Sequence, residues 1–214
     1  MDGTWNVFQA ARDNKVKRVI YASSCAVYGD GPGKKKNEKM DLNPISVYAE
    51  SKKSAEAQAD LFRRFFGLET VGLRYFNVFG PRQDAGSPYS GVISLFLRKF
   101  AQAQRPVIYG DGHQTRDFIY VKDIVKANLI AAAARPAVAA VYNAGTGRSV
   151  SLNEVVKILN KIFGLRLKPV YRKVRPGDIR YSQADISAIS KLAFRPEWDF
   201  ERAVRDMLCL VPGR

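Results

Sequence analysis

A phenol and an ammonium stand four residues apart in Tyr48-Ala49-Glu50-Ser51-Lys52. On a helix that spacing stacks the two side chains on one face. A phenol titrates near 10 in water, so it serves as a base near neutrality only where adjacent positive charge favours the phenolate. Lys52 is placed to supply such charge. Upstream, Ala22-Ser23-Ser24-Cys25-Ala26-Val27-Tyr28-Gly29 follows a β-rich run, and open α/β sheets build their sites at the carboxyl ends of such strands. Ser24 is a candidate to bond a substrate hydroxyl and relay its proton to Tyr48. Taken alone, the Tyr/Lys spacing reads as a surface helix pair and the two serines as turn chemistry. A serine nucleophile is disfavoured, because the only histidine is His113 and no Ser/His/Asp order surrounds a nucleophile elbow.

The elements that must position these groups alternate between short β-rich runs and helical patterns, the layout of a parallel sheet covered by helices. The pattern predicts a helix over 4–12, a strand over 16–22 and a small-residue turn over Ser23-Ser24-Cys25-Ala26. A long helix follows, capped by Ser46 and stopped at Gly67. Strands are expected over 68–74, 107–109, 118–121 and 141–144, with a helix over 123–134. Ser151 and Glu154 form a capping-box signature for a helix ended by Gly164. Beyond Arg175 the chain reads as irregular.

At 214 residues and 46% hydrophobic, the chain can bury a substantial core. It shows no apolar run of membrane-spanning length and no secretory leader, so a cytoplasmic location is expected. Cys25 and Cys209 lie outside any metal or disulfide pattern and read as buried thiols. The formal charge of +15 raises the possibility of a nucleic-acid partner. Its basic residues, however, are spread along the chain, the densest run (Lys34-Lys35-Lys36) falls in a loop, and no base-reading motif is present. A solvated basic surface suited to an anionic small substrate is the reading adopted, with no nucleic acid and no membrane partner.

From Asp2-Gly3-Thr4-Trp5-Asn6-Val7 to about Phe200 the chain resembles the extended short-chain dehydrogenase/reductases, the NAD-dependent epimerase/dehydratase family, and within it the UDP-hexose 4-epimerases. Besides the serine run and the Tyr/Lys pair, the resemblance rests on Leu73-Arg74-Tyr75-Phe76-Asn77-Val78-Phe79-Gly80-Pro81 and Ser90-Gly91-Val92-Ile93-Ser94. It continues through Tyr109-Gly110-Asp111-Gly112, Arg116-Asp117-Phe118, Tyr142-Asn143-Ala144-Gly145 and Arg175-Pro176-Gly177-Asp178. The family implies an α/β fold, a Rossmann-type parallel sheet with flanking helices plus a small C-terminal substrate-binding region. It assigns residues 1–80 and 117–146 to the dinucleotide side, and 81–116 and 147–214 to the nucleotide-sugar side.

The resemblance also implies roles. Tyr48 is the base, Lys52 holds the nicotinamide ribose of NAD and favours the phenolate, and Ser24 bridges substrate and base. Ala22, Ser23 and Tyr75 join Tyr48 and Lys52 on the cofactor, with Tyr75 and Phe76 flanking nicotinamide and sugar. Asn77 and Arg116 contact the diphosphate, Val92 and Tyr109 line the uracil pocket, and Arg175 with Asp178 holds the nucleotide ribose and phosphate. Ser182, a small residue four beyond Asp178, occupies the position that gates N-acetyl groups, so UDP-N-acetylhexosamines are expected to fit. Dehydratases and decarboxylating relatives carry an acid just after the hydroxyl residue, whereas Cys25 and Ala26 stand there in this chain. The implied chemistry is therefore a reversible exchange at C4 through a 4-keto sugar, with no net consumption of cofactor.

None of the 16 glycines forms a strand-following GxGxxG or GxxGxxG turn, which is the usual pyrophosphate cradle. The expectation is a truncated cofactor half that binds NAD weakly or not at all by itself, impairs the activity of this chain and leaves a sheet edge open. Family members pair through two helices per subunit, here 4–12 and 46–66, so a homodimer is implied. Alternatives are another nucleotide-sugar dehydratase or reductase, a non-catalytic sugar-nucleotide-binding remnant, and a basic nucleic-acid binder.

Overall fold

The computed structural model describes residues 2–31, 33, 35–83, 86, 91–134, 141–175 and 177–209. Ser90, Lys34 and Pro176 lie outside them. The elements run α1 (Asp2–Asp13), β1 (Arg18–Ser24), a 3-10 turn (Cys25–Tyr28), β2 (Lys35–Lys36), α2 (Val47–Phe66), β3 (Glu69–Tyr75) and β4 (Asn77–Phe79). They continue with α3 (Val92–Ala101), β5 (Val107–Tyr109), β6 (Thr115–Arg116), β7 (Phe118–Tyr120), α4 (Val121–Ala133), β8 (Val141–Ala144) and β9 (Val150–Ser151). Last come α5 (Leu152–Phe163), β10 (Val170–Arg172), β11 (Gln183–Ala184), α6 (Ser187–Ser190) and α7 (Phe200–Cys209).

The central sheet is parallel, in the order β1-β3-β8. Its middle strand is buried from Thr70 to Arg74, as a strand covered on both faces must be. α2 packs over β1 and β3 on one face, and α4 packs over them on the other. Parallel pairs β4–β7 and β5–β10 and the antiparallel pair β6–β9 build the remainder. Under them lies a second core, in which Phe79, Phe96, Phe100 and Ile108 meet Val155, Leu159, Phe200 and Val204.

The helix signals act as read. Ser46 Oγ accepts from the Ala49 N–H at 3.1 Å, and α2 stops at Gly67 with φ 66°. Ser151 and Glu154 close a complete capping box on α5. Four readings change. Ser23 and Ser24 belong to β1, not to the turn, because the parallel register continues through Ser23–Arg74 and Ser24–Tyr75. Lys35 and Lys36 form a short strand paired with β11 instead of a loop: Lys35 stays exposed, whereas Lys36 is buried and donates from Nζ to the Gly31 carbonyl at 2.5 Å. Cys209 is exposed rather than buried, while Cys25 is part-buried. Beyond Arg175 the chain is more ordered than read, carrying β11 and the amphipathic α7, which seals the second core.

Candidate active site

Because Ser46 caps α2, Tyr48 and Lys52 sit in the helix's opening turns. The Lys52 ammonium lies 5.7 Å from the Tyr48 ring centroid. It also donates to the Ala22 carbonyl at 3.0 Å, which points the pair at the carboxyl end of β1. Tyr48 is half exposed and lines a cavity of about 490 Å³ with Phe76, Asn77, Gln83 and Val92. Asn77 and Val92 also belong to the wall of a second cavity of about 590 Å³, so the two adjoin. This larger space collects Tyr109, Arg116, Arg175 and Asp178 from three separate stretches of chain.

The larger cavity is an anion site by composition. Arg98, Lys99, Arg116 and Arg175 line it, against the single carboxylate of Asp178. Asp178 is paired with Arg116 at 2.5 Å. The Arg175 guanidinium sits 3.7 Å from the Tyr109 ring centroid, and its hydrogen bond and charge hold the Tyr109 phenol below the usual range. The resulting platform is flat, aromatic and cationic, suited to a planar base and to phosphate oxygens. Asn77 Oδ1 is buried at the junction of the cavities without a partner, an arrangement that is costly unless a ligand completes it.

The serines divide their work by strand alternation. Ser23 turns inward, 2% exposed, and its hydroxyl donates to Glu56 on α2. Its side chain is thus withdrawn from any cofactor. Ser24 Oγ accepts from the Ala26 N–H at 3.2 Å, capping the 3-10 turn and leaving its own proton free. Tyr75 likewise faces away: its hydroxyl donates to Asn128 on α4 at 3.0 Å, on the opposite side of the sheet from Tyr48. Phe76 is buried against Val27 and Tyr28. Ser182 lines neither cavity. It is 5% exposed and hydrogen-bonds Cys25, whose thiol burial pushes up to about 11. That thiol is no acid–base group near neutrality.

Sequence reasoning gave no role to Arg98, Lys99, Gln114 or Asp117. Asp117 is fully buried, and its carboxylate accepts from Thr146 N (2.8 Å), Thr146 Oγ1 (2.7 Å), Gly147 N (3.0 Å) and Ala184 N (3.0 Å). Burial raises its pKa, against the lowering effect of those hydrogen bonds. A Cβ on Gly145 would stand 2.9 Å from that carboxylate, so only glycine fits the approach. The signal for this hub was the acid beside Arg116 together with the small-residue run Ala144-Gly145-Thr146-Gly147. Arg98 and Lys99 carried no signal beyond their charge.

Residues 1–145 match the model of the NAD dependent epimerase/dehydratase family. A putative UDP-glucose 4-epimerase of Methanocaldococcus jannaschii is 38% identical over 95% of this chain and 66% of its own length. Among solved structures, a UDP-N-acetylglucosamine 4-epimerase from Methanobrevibacter ruminantium M1, in complex with UDP-N-acetylmuramic acid, is 42% identical with a TM-score of 0.93. That match covers 98% of this chain and 67% of the neighbour. A UDP-glucose 4-epimerase from Thermotoga maritima with UDP-glucose is 32% identical, TM-score 0.89, over 96% and 67%. The chain thus spans about two thirds of the length of these relatives.

Proposed function

Because the chain belongs to the NAD-dependent epimerase/dehydratase family, we propose that it inverts C4 of a UDP-hexose through a 4-keto intermediate. The carrying observation is the placement of Tyr48 and Lys52. They share one face of α2 at the end of β1, and Tyr48 opens into a cavity continuous with the basic one. In this reading Ser24 takes the sugar hydroxyl's hydrogen bond, Tyr48 receives the proton, and the Lys52 ammonium stabilises the phenolate. Arg116 and Arg175 grip the diphosphate and nucleotide ribose, with Asp178 orienting Arg116, while Val92 and Tyr109 enclose the base. Held at that end alone, the sugar can turn over between the two halves of the reaction. In this reading residues 81–116 and 147–214 belong to the nucleotide-sugar side, and residues 1–80 and 117–146 to the cofactor side.

The groups at the sheet end suit the nicotinamide ribose of NAD. The Lys52 ammonium and the Ala22 carbonyl supply a donor and an acceptor for its hydroxyls, and a cavity of about 510 Å³ opens beside Lys52. NAD supplies a reversible hydride acceptor for C4.

Two observations favour epimerisation over dehydration. No carboxylate follows Ser24 in the turn, and the Cys25 thiol in that place stays protonated, with burial as the cause. For the sugar, we propose that N-acetylhexosamines are accepted beside hexoses. Ser182 is small and buried against Cys25, where a bulky residue would displace the start of the 3-10 turn that follows Ser24.

The test is product analysis after incubating the protein with NAD and either UDP-glucose or UDP-N-acetylglucosamine. Conversion to the C4 epimer is expected, falling by roughly 10²-fold or more in Tyr48→Phe with UDP affinity retained. Tight UDP-sugar binding without conversion would leave a binding protein. A 4-keto-6-deoxy product would assign a dehydratase. Rejection of the acetamido sugar alone would overturn the wider specificity.

A further inference from the structure

Beneath the serine turn runs a buried polar chain that neither cavity touches. Glu56 stands one helical turn past Lys52 and two past Tyr48, so the three residues share a face of α2. Its carboxylate is gripped from β3 by Arg74, whose Nε and Nη2 lie at 2.9 and 2.7 Å, and from β1 by the Ser23 hydroxyl. Arg74 Nη1 donates to the Tyr28 hydroxyl at 2.9 Å, and Tyr28 donates to Asn143 Oδ1 at 2.7 Å. Burial pushes the Tyr28 phenol up to about 12, so it remains a donor. Glu56 and Arg74 are only 8% and 4% exposed.

Stability alone accounts poorly for such a pair. The cost of desolvating two charges approaches what their attraction returns, and apolar residues of the same volume often serve as well. What an apolar contact cannot supply is register. A hydrophobic helix face slides over a strand by fractions of an ångström at little cost, whereas a bidentate guanidinium–carboxylate fork has one geometry. Here that fork, with the Ser23 bond, ties the helix bearing Tyr48 and Lys52 to the strand residue that immediately precedes Ser24. Through Tyr28 it also holds the far end of the 3-10 turn that Ser24 caps.

We propose that the Glu56–Arg74 pair is a positioning device, setting where α2 lies against the end of β1 and thereby fixing Tyr48 and Lys52 relative to Ser24. The catalytic sense of this positioning rests on the epimerase reading above. The structural sense, that the pair holds the turn, is measured separately.

Two variants test it. Glu56→Gln keeps shape and an acceptor for Ser23 but breaks the ionic fork. Ser23→Ala cuts only the tie to β1 and leaves the ion pair, so it reports even if Glu56→Gln fails to fold. In both, hydrogen exchange of the Ala26 amide, which Ser24 Oγ holds, should accelerate by about tenfold or more while α3 amides keep their rates. In turnover, kcat per UDP-binding site should fall by roughly tenfold or more. KM for the nucleotide sugar should stay within about twofold, and the solvent deuterium isotope effect on kcat should rise as proton transfer becomes limiting. A lowered melting temperature with Ala26 exchange and isotope effect both unchanged would overturn the proposal and leave a purely structural pair. If the protein converts no UDP-hexose, the epimerase reading falls, and Ala26 exchange still decides whether the pair positions the turn.

Discussion

Asp117 shows how one buried carboxylate can shape a site it does not enter. Its four hydrogen bonds fasten the 145–147 segment and β11 beside Arg116. Each oxygen accepts twice, so an amide cannot replace it: in Asp117→Asn the nitrogen would face two N–H donors with nothing to accept them. We expect that variant to lose roughly 2–4 kcal/mol in urea unfolding, the cost of orphaning two buried amides. Its pH dependence carries a sign. Burial raises the folded pKa of Asp117 above the unfolded 3.8, so the native state holds the proton more tightly. This residue's contribution is therefore greatest in acid and declines as pH rises from about 3.8 through the raised folded value. Urea titrations across acid and neutral pH should show that decline in the parent protein and not in Asp117→Asn. An equal slope in both would overturn the assignment.

Among the elements, α5 depends on its first turn more than its length implies. Leu152 opens the helix and lines the larger cavity, while Val150 and Ser151 form β9 and pair with β6, the strand that carries Arg116. The capping box therefore anchors both the helix and the backbone beside Arg116. Ser151→Ala removes the side-chain acceptor for the Glu154 N–H and the hydroxyl that donates to the Glu154 carboxylate. A loss of about 1 kcal/mol is expected, which is roughly 2–4 °C in melting temperature for a chain of this size. Backbone and hydroxyl donors at Ser151 hold the Glu154 carboxyl below its usual range, so the cap's benefit is present above pH 4.5 and fades in acid. An unchanged melting temperature would show that tertiary packing, rather than the cap, holds this end.

For the whole molecule, exposed rings and cations meet on α1 and α2, where the Arg12 guanidinium lies 4.8 Å from the Phe66 ring centroid and Arg64 lies 5.9 Å from that of Phe65. Four cations against one carboxylate at the larger cavity favour an anion there. The outward sides of α1 and α2 instead expose Trp5, Val7, Phe65 and Phe66, with Phe65 72% accessible. We propose that two copies pair there as a homodimer. Burying one phenylalanine contributes about 1.5–3 kcal/mol, so Phe65→Asp should weaken self-association by at least roughly tenfold in sedimentation equilibrium. A monomeric parent protein, or a variant that dimerises as well as the parent, would exclude this face.

What the sequence determined was whatever closes within a turn or two of chain: the caps at Ser46 and Ser151, the stops at Gly67 and Gly164, and the shared face of Tyr48 and Lys52. Backbone dihedrals and hydrogen bonds a few residues apart govern these features, and residue type reports them directly. Motif resemblance also named the polar and aromatic groups Asn77, Tyr109, Arg116, Arg175 and Asp178 of the larger cavity, together with Val92, but not Arg98, Lys99 or Gln114. Only the tertiary structure decided that Ser23 bonds Glu56 while Ser24 caps the 3-10 turn, that Tyr75 and Ser182 turn elsewhere, and that Lys36 is buried in a strand. It alone joined Glu56 to Arg74 and Asp117 to Ala184. Those outcomes depend on strand register and on partners tens of residues away, where a one-residue slip reverses every side chain and no local pattern records the choice.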